Sequence, residues 1–179
     1  MRVIGGKNKG KKLKSFDGQD IRPTADRAKE ALFNILSDRL LGCDFLDLCS
    51  GTGSIGIESY SRGANSVTFV DASAKSIKLT KENALSVGLK ETFIQSIAKD
   101  YLLRADKQFD IIFFDPPYAF SQIEEILKIV KDKNLLKDDG LFIYERPCKN
   151  EVTAVCGFEI LQSRKYGIAT FDFYRREEV

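Results

Sequence analysis

The sequence predicts an α/β fold built on a doubly wound, mostly parallel sheet. From residue 44 onward, short apolar segments alternate with segments that have helical periodicity. The apolar segments are almost unbroken, which is typical of parallel strands covered by helices on both faces. The C-terminal region differs, because two strand-like segments there flank a turn at Gly167. We therefore expect a Rossmann-like sheet that ends in an antiparallel hairpin.

The first 42 residues predict a basic hairpin followed by a helix. The hairpin would pair residues 2–5 with residues 11–16 across a glycine-containing turn. The helix would open at Pro23 and Thr24, which are typical first-turn residues. Apolar residues then recur at helical spacing, and these are Ala28, Ala31, Leu32, Ile35, Leu36 and Leu40.

The remaining elements alternate along the chain. Candidate strands cover 44–48, 66–71, 91–95, 109–115 and 140–145, and candidate helices lie near 54–62, 73–87, 98–104 and 121–132. Gly88 is placed to end the second of these helices as its C′ residue. Ser121 and Glu124 have the S-x-x-E spacing of a capping box, which would open the last helix.

Length and composition indicate one soluble domain over residues 1–179, with the hairpin and helix at 1–42 and the Rossmann-like core at 43–179. The chain has 43% hydrophobic and 30% charged residues, as globular proteins do. No apolar run is long enough to cross a membrane, and the first residues lack the apolar region of a secretory signal. We expect a cytoplasmic protein.

The chain contains no histidine and four cysteines, none in a C-x-x-C pair. The absence of histidine excludes a histidine general base, a Ser-His or Cys-His nucleophile and any metal site with imidazole ligands. We therefore expect no metal. The cysteines are interpreted as small, mostly buried residues in a reducing compartment.

Positive charge is concentrated at the N-terminus, although the net charge is only +2. Residues 1–14 contain six cations and no acid, namely Arg2, Lys7, Lys9, Lys11, Lys12 and Lys14. Such a run is often only a solvated terminus. Alternatively, it forms an edge that contacts the phosphates of a nucleic acid.

A glycine-rich loop follows the first predicted parallel strand. Gly51, Gly53 and Gly56 match G-x-G-x-x-G, and Asp71 ends the next strand. This pattern is typical of a nucleotide cofactor site in which the acid accepts the ribose hydroxyls. Glycines at a strand-to-helix turn also occur for structural reasons alone, so the pattern leaves both alternatives open.

Asp47 distinguishes between the cofactors that such a loop could hold. It lies four residues before Gly51, at the end of the strand. A carboxylate there would repel the pyrophosphate of a dinucleotide, whereas S-adenosylmethionine carries a sulfonium and an ammonium and has no phosphate. Asp47 therefore favours S-adenosylmethionine, with capping of the following turn or helix as the alternative role.

The segment Asp115-Pro116-Pro117-Tyr118 follows the fourth predicted parallel strand, on the same rim as the glycine loop. An exocyclic amine of a nucleobase is a weak nucleophile, and two fixed acceptors could take its two hydrogens. The Asp115 carboxylate and the Pro116 carbonyl would be these acceptors, with Pro117 fixing the backbone. Tyr118 or Phe120 would stack on the base. The simpler alternative is that the two prolines only end the strand.

The glycine loop and D-P-P-Y in this order resemble class I S-adenosylmethionine-dependent methyltransferases that act on exocyclic amino groups. Almost the whole chain resembles the RsmD-type family of bacterial 16S ribosomal RNA guanine-N2 methyltransferases. The matching segments are MRVIGGKNKGKKL, RPTADRAKEALFNIL, FLDLCSGTGSIGIESYSRGA, FDIIFFDPPY and the terminal hairpin. The pattern RPT-x-DR-x-x-E-x-LFN is the more specific signature, because D-P-P-Y also occurs in DNA adenine methyltransferases.

The resemblance implies a set of site residues. Cofactor contacts are implied for Asp47, Cys49, Gly51, Thr52, Gly53, Asp71, Ala72 and Ala98, and for Thr24, Phe33 and Asn34 in the N-terminal helix region. RNA contacts are expected from Lys7, Lys9, Lys11 and Lys12 of the basic run and from Arg22 and Arg27, which the resemblance brings toward the active site. Capping or surface ion pairing is the alternative for Arg22, Arg27 and Asn34, and core packing is the alternative for Phe33.

One position departs from the family pattern. Related enzymes commonly have an acid or amide near the end of the third strand, where this chain has Ile97. The adenine of the cofactor would then be held by backbone groups around Ala98 or by Ser96.

The resemblance implies methylation of guanine N2 in 16S ribosomal RNA, in free RNA or in the assembling small subunit, by a monomer that needs neither metal nor membrane. Three alternatives are methylation of adenine N6 in DNA, dinucleotide-dependent oxidation on the same glycines, and RNA binding without catalysis. The first alternative is disfavoured because the chain has no room for an extra target-recognition domain. Asp47 disfavours the second, and the intact D-P-P-Y segment disfavours the third.

Overall fold

The computed structural model describes residues 1–17 and 23–177 and contains one seven-stranded sheet with helices on both faces. The strands are β1 (Asp44–Leu48), β2 (Ser66–Asp71), β3 (Thr92–Gln95), β4 (Phe109–Phe114), β5 (Leu136–Pro147), β6 (Phe158–Tyr166) and β7 (Ala169–Arg176). The helices are α1 (Pro23–Ile35), α2 (Ser54–Ser61), α3 (Ala74–Ser86), α4 (Ala98–Arg104) and α5 (Ile123–Asp132), and a 3₁₀ turn spans Ser37–Arg39. Within the described residues, no helix has the length and apolar character required to cross a membrane.

The strand order is β3-β2-β1-β4-β5-β7-β6. Strands β1 to β5 run parallel, while β7 lies antiparallel between β5 and β6. The chain winds outward from β1 to β3 and then returns to place β4 on the other side of β1. This reversal puts a topological switch point between the carboxyl ends of β1 and β4. The predicted fold class, including the C-terminal hairpin, is confirmed.

Successive strand residues point to opposite faces of the sheet, and each face has its own core. Phe45, Phe69 and Phe113 pack on the face covered by α1, α2 and α3. Alternate residues such as Leu46 and Ile112 pack on the face covered by α4 and α5. The strands therefore read as unbroken apolar runs because both faces are buried.

Most predicted boundaries agree with the structure, and two differ for local reasons. Strand β5 begins at Leu136 rather than near 140, since its early residues pair with Phe109 before an irregularity in the register. The predicted capping box at Ser121 is wrong, because α5 begins at Ile123 without a side-chain cap. A turn closed by the Phe120 N–H on the Pro117 carbonyl, at 2.8 Å, carries the chain past Ser121 before the helix starts.

The C-terminus of α3 has the predicted glycine cap. Gly88 has φ +78°, and its N–H donates to the Leu85 carbonyl at 3.1 Å, while the Leu89 N–H donates to the Ala84 carbonyl at 3.0 Å. These two bonds are those of a Schellman motif.

The N-terminal hairpin is present and is docked on α2. The Val3 N–H donates to the Lys11 carbonyl at 2.9 Å, and the Gly10 N–H donates to the Val3 carbonyl at 2.8 Å. Val3 and Leu13 are buried in the core under α1 and α2. A Cβ at Gly6 would lie 1.9 Å from the Ser61 carbonyl oxygen, so the turn requires glycine to approach α2 this closely.

A buried carboxylate, Glu58 of α2, holds the hairpin. Its side chain is 0% exposed and accepts from the backbone N–H groups of Ile4 at 2.9 Å and Gly5 at 2.8 Å. It also pairs with Arg62 at 2.8 Å and with Lys29 of α1 at 3.5 Å. Burial lowers the pKa of Lys29, and the Glu58 charge opposes that shift. One carboxylate therefore ties the hairpin and α1 to α2.

Replacing Glu58 with glutamine should destabilise the protein by about 3 kcal/mol, because it leaves a buried lysine without its counter-charge. Urea unfolding measures this loss, and amide exchange at Ile4 and Gly5 should become faster than at Val3 or Leu13. The matched control is Glu30→Gln, which changes an exposed carboxylate on α1 and should leave the free energy of unfolding within about 0.5 kcal/mol. Equal stability of the two variants would contradict the anchoring role.

Candidate active site

The glycine loop leaves β1 through a sharp turn. The N–H groups of Cys49 and Ser50 both donate to the Val70 carbonyl, at 2.8 and 3.0 Å, and the Gly53 N–H closes on the Ser50 carbonyl at 2.7 Å. Cys49 takes φ +70°, although it is not glycine. The loop is thereby pinned to the end of β2.

The three positions of the glycine pattern differ in whether the structure leaves room for a side chain. A Cβ at Gly53 would lie 2.7 Å from the Thr80 methyl, and one at Gly56 would lie 2.4 Å from the Phe69 ring. A Cβ at Gly51 would meet nothing within 4 Å. Gly53 and Gly56 are therefore required by packing, whereas Gly51 borders open space on the rim of the sheet. Packing thus accounts for Gly53 and Gly56, and the cofactor contact of Gly51 stays a prediction.

Side chains of helix α3 hold this loop through hydrogen bonds to its carbonyl groups. The Thr80 hydroxyl donates to the Gly51 carbonyl at 3.0 Å. The Asn83 amide donates to the Thr52 carbonyl at 2.9 Å and to the Lys14 carbonyl at 2.9 Å, while its oxygen accepts from the Lys14 N–H at 2.8 Å. Asn83 thus joins the glycine loop to the end of the N-terminal hairpin.

Asp71 and Asp47 lie on the two strands that meet at the loop. Asp71 accepts from the N–H groups of Gly51 and Ser73, both at 2.9 Å. Asp47 is only 2% exposed and accepts from the Gly56 N–H at 2.9 Å, so it does cap the start of α2. Burial, assisted by the charge of Asp71, raises the pKa of Asp47 to about 7.

The D-P-P-Y segment lies at the same edge, at the end of β4. The Asp115 N–H donates to the Leu48 carbonyl at 3.3 Å, which fixes the segment beside β1. Pro116 is buried and Pro117 is exposed. Tyr118 is 59% exposed, whereas Phe120 packs edge-on against Phe114 at 5.2 Å between ring centroids. Of the two rings proposed for stacking, Tyr118 is therefore the one on the surface.

Glu145 is a site residue that the sequence analysis missed. Strand β5 pairs with β4 through Phe114 and Tyr144, so Glu145 comes level with Asp115 on the neighbouring strand. Burial raises the pKa of Glu145 to about 7. Burial and then the charges of Glu145 and Asp47 raise the pKa of Asp115 well above its ordinary value. An isolated acid in the apolar run GLFIYE was the available signal.

Three carboxyl groups, from Asp47, Asp115 and Glu145, therefore lie along adjacent strand ends. None of them forms an ion pair with a lysine or arginine in residues 1–17 or 23–177. Asp47 is buried and the other two are half-buried, and partly desolvated acids without a counter-charge favour a cationic ligand and disfavour a phosphate. The row thus fits S-adenosylmethionine, with its sulfonium and ammonium, better than a dinucleotide.

The other implied cofactor residues have mixed positions. Thr52 and Cys49 are half-buried in the loop, and Ala72 is exposed after β2. Burial raises the pKa of the Cys49 thiol to about 12, which keeps it neutral and unreactive. Asn34 is exposed on α1.

Phe33 lies in the core rather than on the rim. Its ring is 0% exposed and packs beneath the Arg62 guanidinium, 5.3 Å from the ring centroid. This position corresponds to the alternative of core packing. The side chain of Thr24 and all of Arg22 lie outside the residues that the structure describes.

In the region expected to face the adenine, the Ser96 side chain already makes two hydrogen bonds within the protein. The Ser96 hydroxyl accepts from Arg104 and donates to the Ile97 carbonyl, both at 3.0 Å. Ile97 is 60% exposed on the rim, and Ala98 begins α4. Backbone groups at Ala98 and the remaining acceptor lone pair of Ser96 therefore both stay predictions for the adenine contact.

The basic residues of the hairpin differ in the contacts that their side chains make with the protein. Lys9, Lys11 and Lys12 are exposed around its turn, as is Arg27 on α1. Lys7 lies over the Tyr60 ring at 3.5 Å from its centroid. Lys7 and Lys14 are exposed as well, so the hairpin presents five lysines to solvent from a fixed position rather than from a loose tail.

The chain was compared with known proteins. A family model described as "Conserved hypothetical protein 95" matches residues 1–175. "Putative rRNA methyltransferase YlbH" of Bacillus subtilis strain 168 is 33% identical over 98% of this chain and 99% of that protein. "Ribosomal RNA small subunit methyltransferase D" of Escherichia coli K12 is 30% identical over 99% of this chain and 90% of that protein.

A solved structure described as "Putative methyltransferase yhhF from Escherichia coli" superposes with a TM-score of 0.88 at 26% identity, and covers 100% of this chain and 99% of its own. The similarity spans the hairpin, the glycine loop and the D-P-P-Y segment together. On this match, the chain belongs to the "Conserved hypothetical protein 95" family, the RsmD family of ribosomal RNA methyltransferases.

Proposed function

We propose that this protein transfers a methyl group from S-adenosylmethionine to the exocyclic N2 amine of a guanine in 16S ribosomal RNA. The observation that carries the proposal is the row of Asp47, Asp115 and Glu145 beside the open face of Gly51. Family membership and the names of the relatives support the RNA substrate. The site offers acceptors for an amine and negative charge for a sulfonium at one edge of the sheet.

Asp115 and Pro116 act on the amine. The carboxylate of Asp115 and the carbonyl of Pro116 accept the two amine hydrogens, which directs the nitrogen lone pair away from them. Pro116 and Pro117 restrict the backbone, so the acceptors need little rearrangement as the reaction proceeds. As the methyl–nitrogen bond forms, the nitrogen becomes cationic and gives up one proton to the Asp115 carboxylate.

The glycine loop and the acids hold the other reactant. S-adenosylmethionine, when bound, supplies a methyl group on a sulfonium that leaves as a neutral thioether. We propose that Asp71, which accepts from the Gly51 and Ser73 N–H groups, also accepts the ribose hydroxyls, and that Gly51 allows close approach of the backbone. Asp47 and Asp115 place negative charge near the cation, which favours ionisation of both acids when the cofactor binds.

The hairpin supplies the contact with the RNA backbone. Lys9, Lys11 and Lys12 are exposed, and the Glu58 anchor keeps them in a fixed position relative to the glycine loop. We propose that these lysines bind phosphates of 16S ribosomal RNA, free or in the assembling small subunit. We further propose that the protein acts as a monomer in the cytoplasm and without a metal.

The reaction is tested by incubating the protein with labelled S-adenosylmethionine and either small ribosomal subunits, free 16S RNA or duplex DNA. Mass spectrometry of the digested product should show N2-methylguanosine from RNA. Label in DNA as N6-methyladenine would replace the guanine assignment with the adenine one. Preference for a nicotinamide cofactor over S-adenosylhomocysteine would remove the methyltransferase assignment.

Asp115→Asn should lower turnover at least 100-fold while changing cofactor affinity by only a few-fold. The amide keeps the size of the side chain but loses the charge that accepts the proton. Single-turnover kinetics and calorimetric titration with S-adenosylhomocysteine measure the two effects. Asp138→Asn, on the exposed early part of β5, is the control and should behave as wild type. Full turnover in the Asp115 variant would refute the acceptor role.

Asp47→Asn should make the ligand-free protein more stable at pH 8 and should weaken cofactor binding. Folding raises the Asp47 pKa from 3.8 to about 7, so the folded state binds more protons and loses stability as pH rises between these values. The gain at pH 8 has an upper limit of about 4 kcal/mol, and it should vanish near pH 4. Urea unfolding across this pH range checks the sign, and a gain independent of pH would contradict it.

Replacing Lys9, Lys11 and Lys12 together with alanine should weaken RNA binding and reduce the salt slope by about 3, since each phosphate contact contributes about one. Binding titrations between low and high salt measure the slope. The control replaces the exposed Lys128, Lys131 and Lys133 near the end of α5, and there the slope should not change. Identical slopes in both triple variants would return the hairpin lysines to a solvated terminus.

A further inference from the structure

A cavity of about 300 Å³ opens beside Tyr118 at the carboxyl edge of the sheet. Its lining is almost entirely apolar in surface and comes from Tyr118, Pro147, Cys148, Lys149 and Ile168. Tyr118 is 59% exposed and Ile168 is 61% exposed. Two large side chains, one aromatic and one aliphatic, are thus exposed to solvent, and the exposed Lys149 lies beside them in the loop after β5.

The wall of this cavity is firmly built. Cys148 follows β5, and its N–H donates to the carbonyl of Ile168, in the turn between β6 and β7, at 2.8 Å. Arg146 is buried in an ion pair with Asp172 of β7 and also donates to the carbonyl of Asn150. The loop after β5 and the turn before β7 are therefore fixed to each other, so the cavity exists without rearrangement.

The cavity lies on the side of the D-P-P-Y segment opposite the cofactor loop. Along the sheet, β2 and β1 carry the glycine loop, β4 carries Asp115, and β5 and β7 carry the cavity. Asp115 and Pro116 do not line it. An amine bonded to these acceptors therefore lies outside the cavity and next to it.

We propose that this cavity binds the nucleobase adjacent in the RNA chain to the reacting guanine. The proposal rests on the proposed function. A guanine that leaves its stack to reach Asp115 leaves a neighbour with an uncovered face, and stacking on aromatic and apolar side chains is the usual way in which proteins bind unstacked bases. Ile168 contacts the base, Tyr118, the ring expected to stack on the reacting guanine, borders it, and Lys149 contacts the phosphate that joins the two nucleotides.

Ile168→Asp tests the apolar contact, with Leu41→Asp as the matched control. Leu41 is 88% exposed and precedes β1, at the opposite edge of the sheet. With an RNA centred on the guanine that the wild type methylates, Ile168→Asp should raise the KM for RNA at least tenfold. Its kcat and its affinity for S-adenosylhomocysteine should stay within twofold of wild type, as should every parameter of Leu41→Asp. Unchanged KM in Ile168→Asp would overturn the proposal.

A second measurement reports the base directly and does not require turnover. The same RNA carries 2-aminopurine in place of the nucleotide on either side of the guanine. Binding should change its fluorescence at one of these positions in wild type and Leu41→Asp, and the change should be lost in Ile168→Asp. Lys149→Ala should lower the salt slope of RNA binding by about 1. No fluorescence change in wild type at either position would overturn the proposal.

Two outcomes separate this proposal from its alternatives. If Ile168→Asp loses activity on small ribosomal subunits but not on free RNA, the cavity binds a ribosomal protein and the proposal is overturned. If the wild type produces no methylguanosine in any RNA, the proposed function fails by itself. Fluorescence titration with 16S fragments then still shows whether the cavity binds a base.

Discussion

The structure depends most on the burial of acids at the carboxyl ends of three adjacent parallel strands. Asp47 is buried and Asp115 and Glu145 are half-buried, none of them has a cationic partner among the described residues, and desolvation opposes their ionisation. This cost persists only where surrounding structure holds the groups in place. The α2 N-terminus, the β1–β4 pairing and the rigid proline pair provide that support, so the site is organised before any ligand binds.

The N-terminal hairpin is the second feature on which the structure depends, because it adds a docked element to the doubly wound sheet next to α2. Glu58 and Lys29 connect it to α1 and α2 through buried polar contacts. Such contacts add specificity of position more than net stability. The hairpin lysines can therefore act as a fixed surface rather than as a mobile tail, in keeping with binding of a structured RNA.

Sequence alone predicted the strands and the switch point, and it singled out Asp47 ahead of the glycine loop and Asp115 ahead of the two prolines, because those features have local signals. It did not predict Glu145, whose role depends on strand register between β4 and β5. Sequence alone also could not tell which of the Tyr118 and Phe120 rings is exposed, or which contacts Ser96 and Phe33 make. Burial and tertiary partners determine these features, and neither has a local signal. The predicted capping box at Ser121 was wrong because the turn from Pro117 to Phe120 delays the start of α5 to Ile123.

Asn83 joins two surfaces that the chain separates widely. The same buried amide bonds both backbone groups of Lys14 and the carbonyl of Thr52. The hairpin and the cofactor loop therefore cannot shift independently without breaking hydrogen bonds in the interior. Binding free energies at linked sites are reciprocal. A ligand at either surface that displaces this amide must therefore alter the affinity of the other surface for its own ligand, so Asn83 couples the two surfaces energetically.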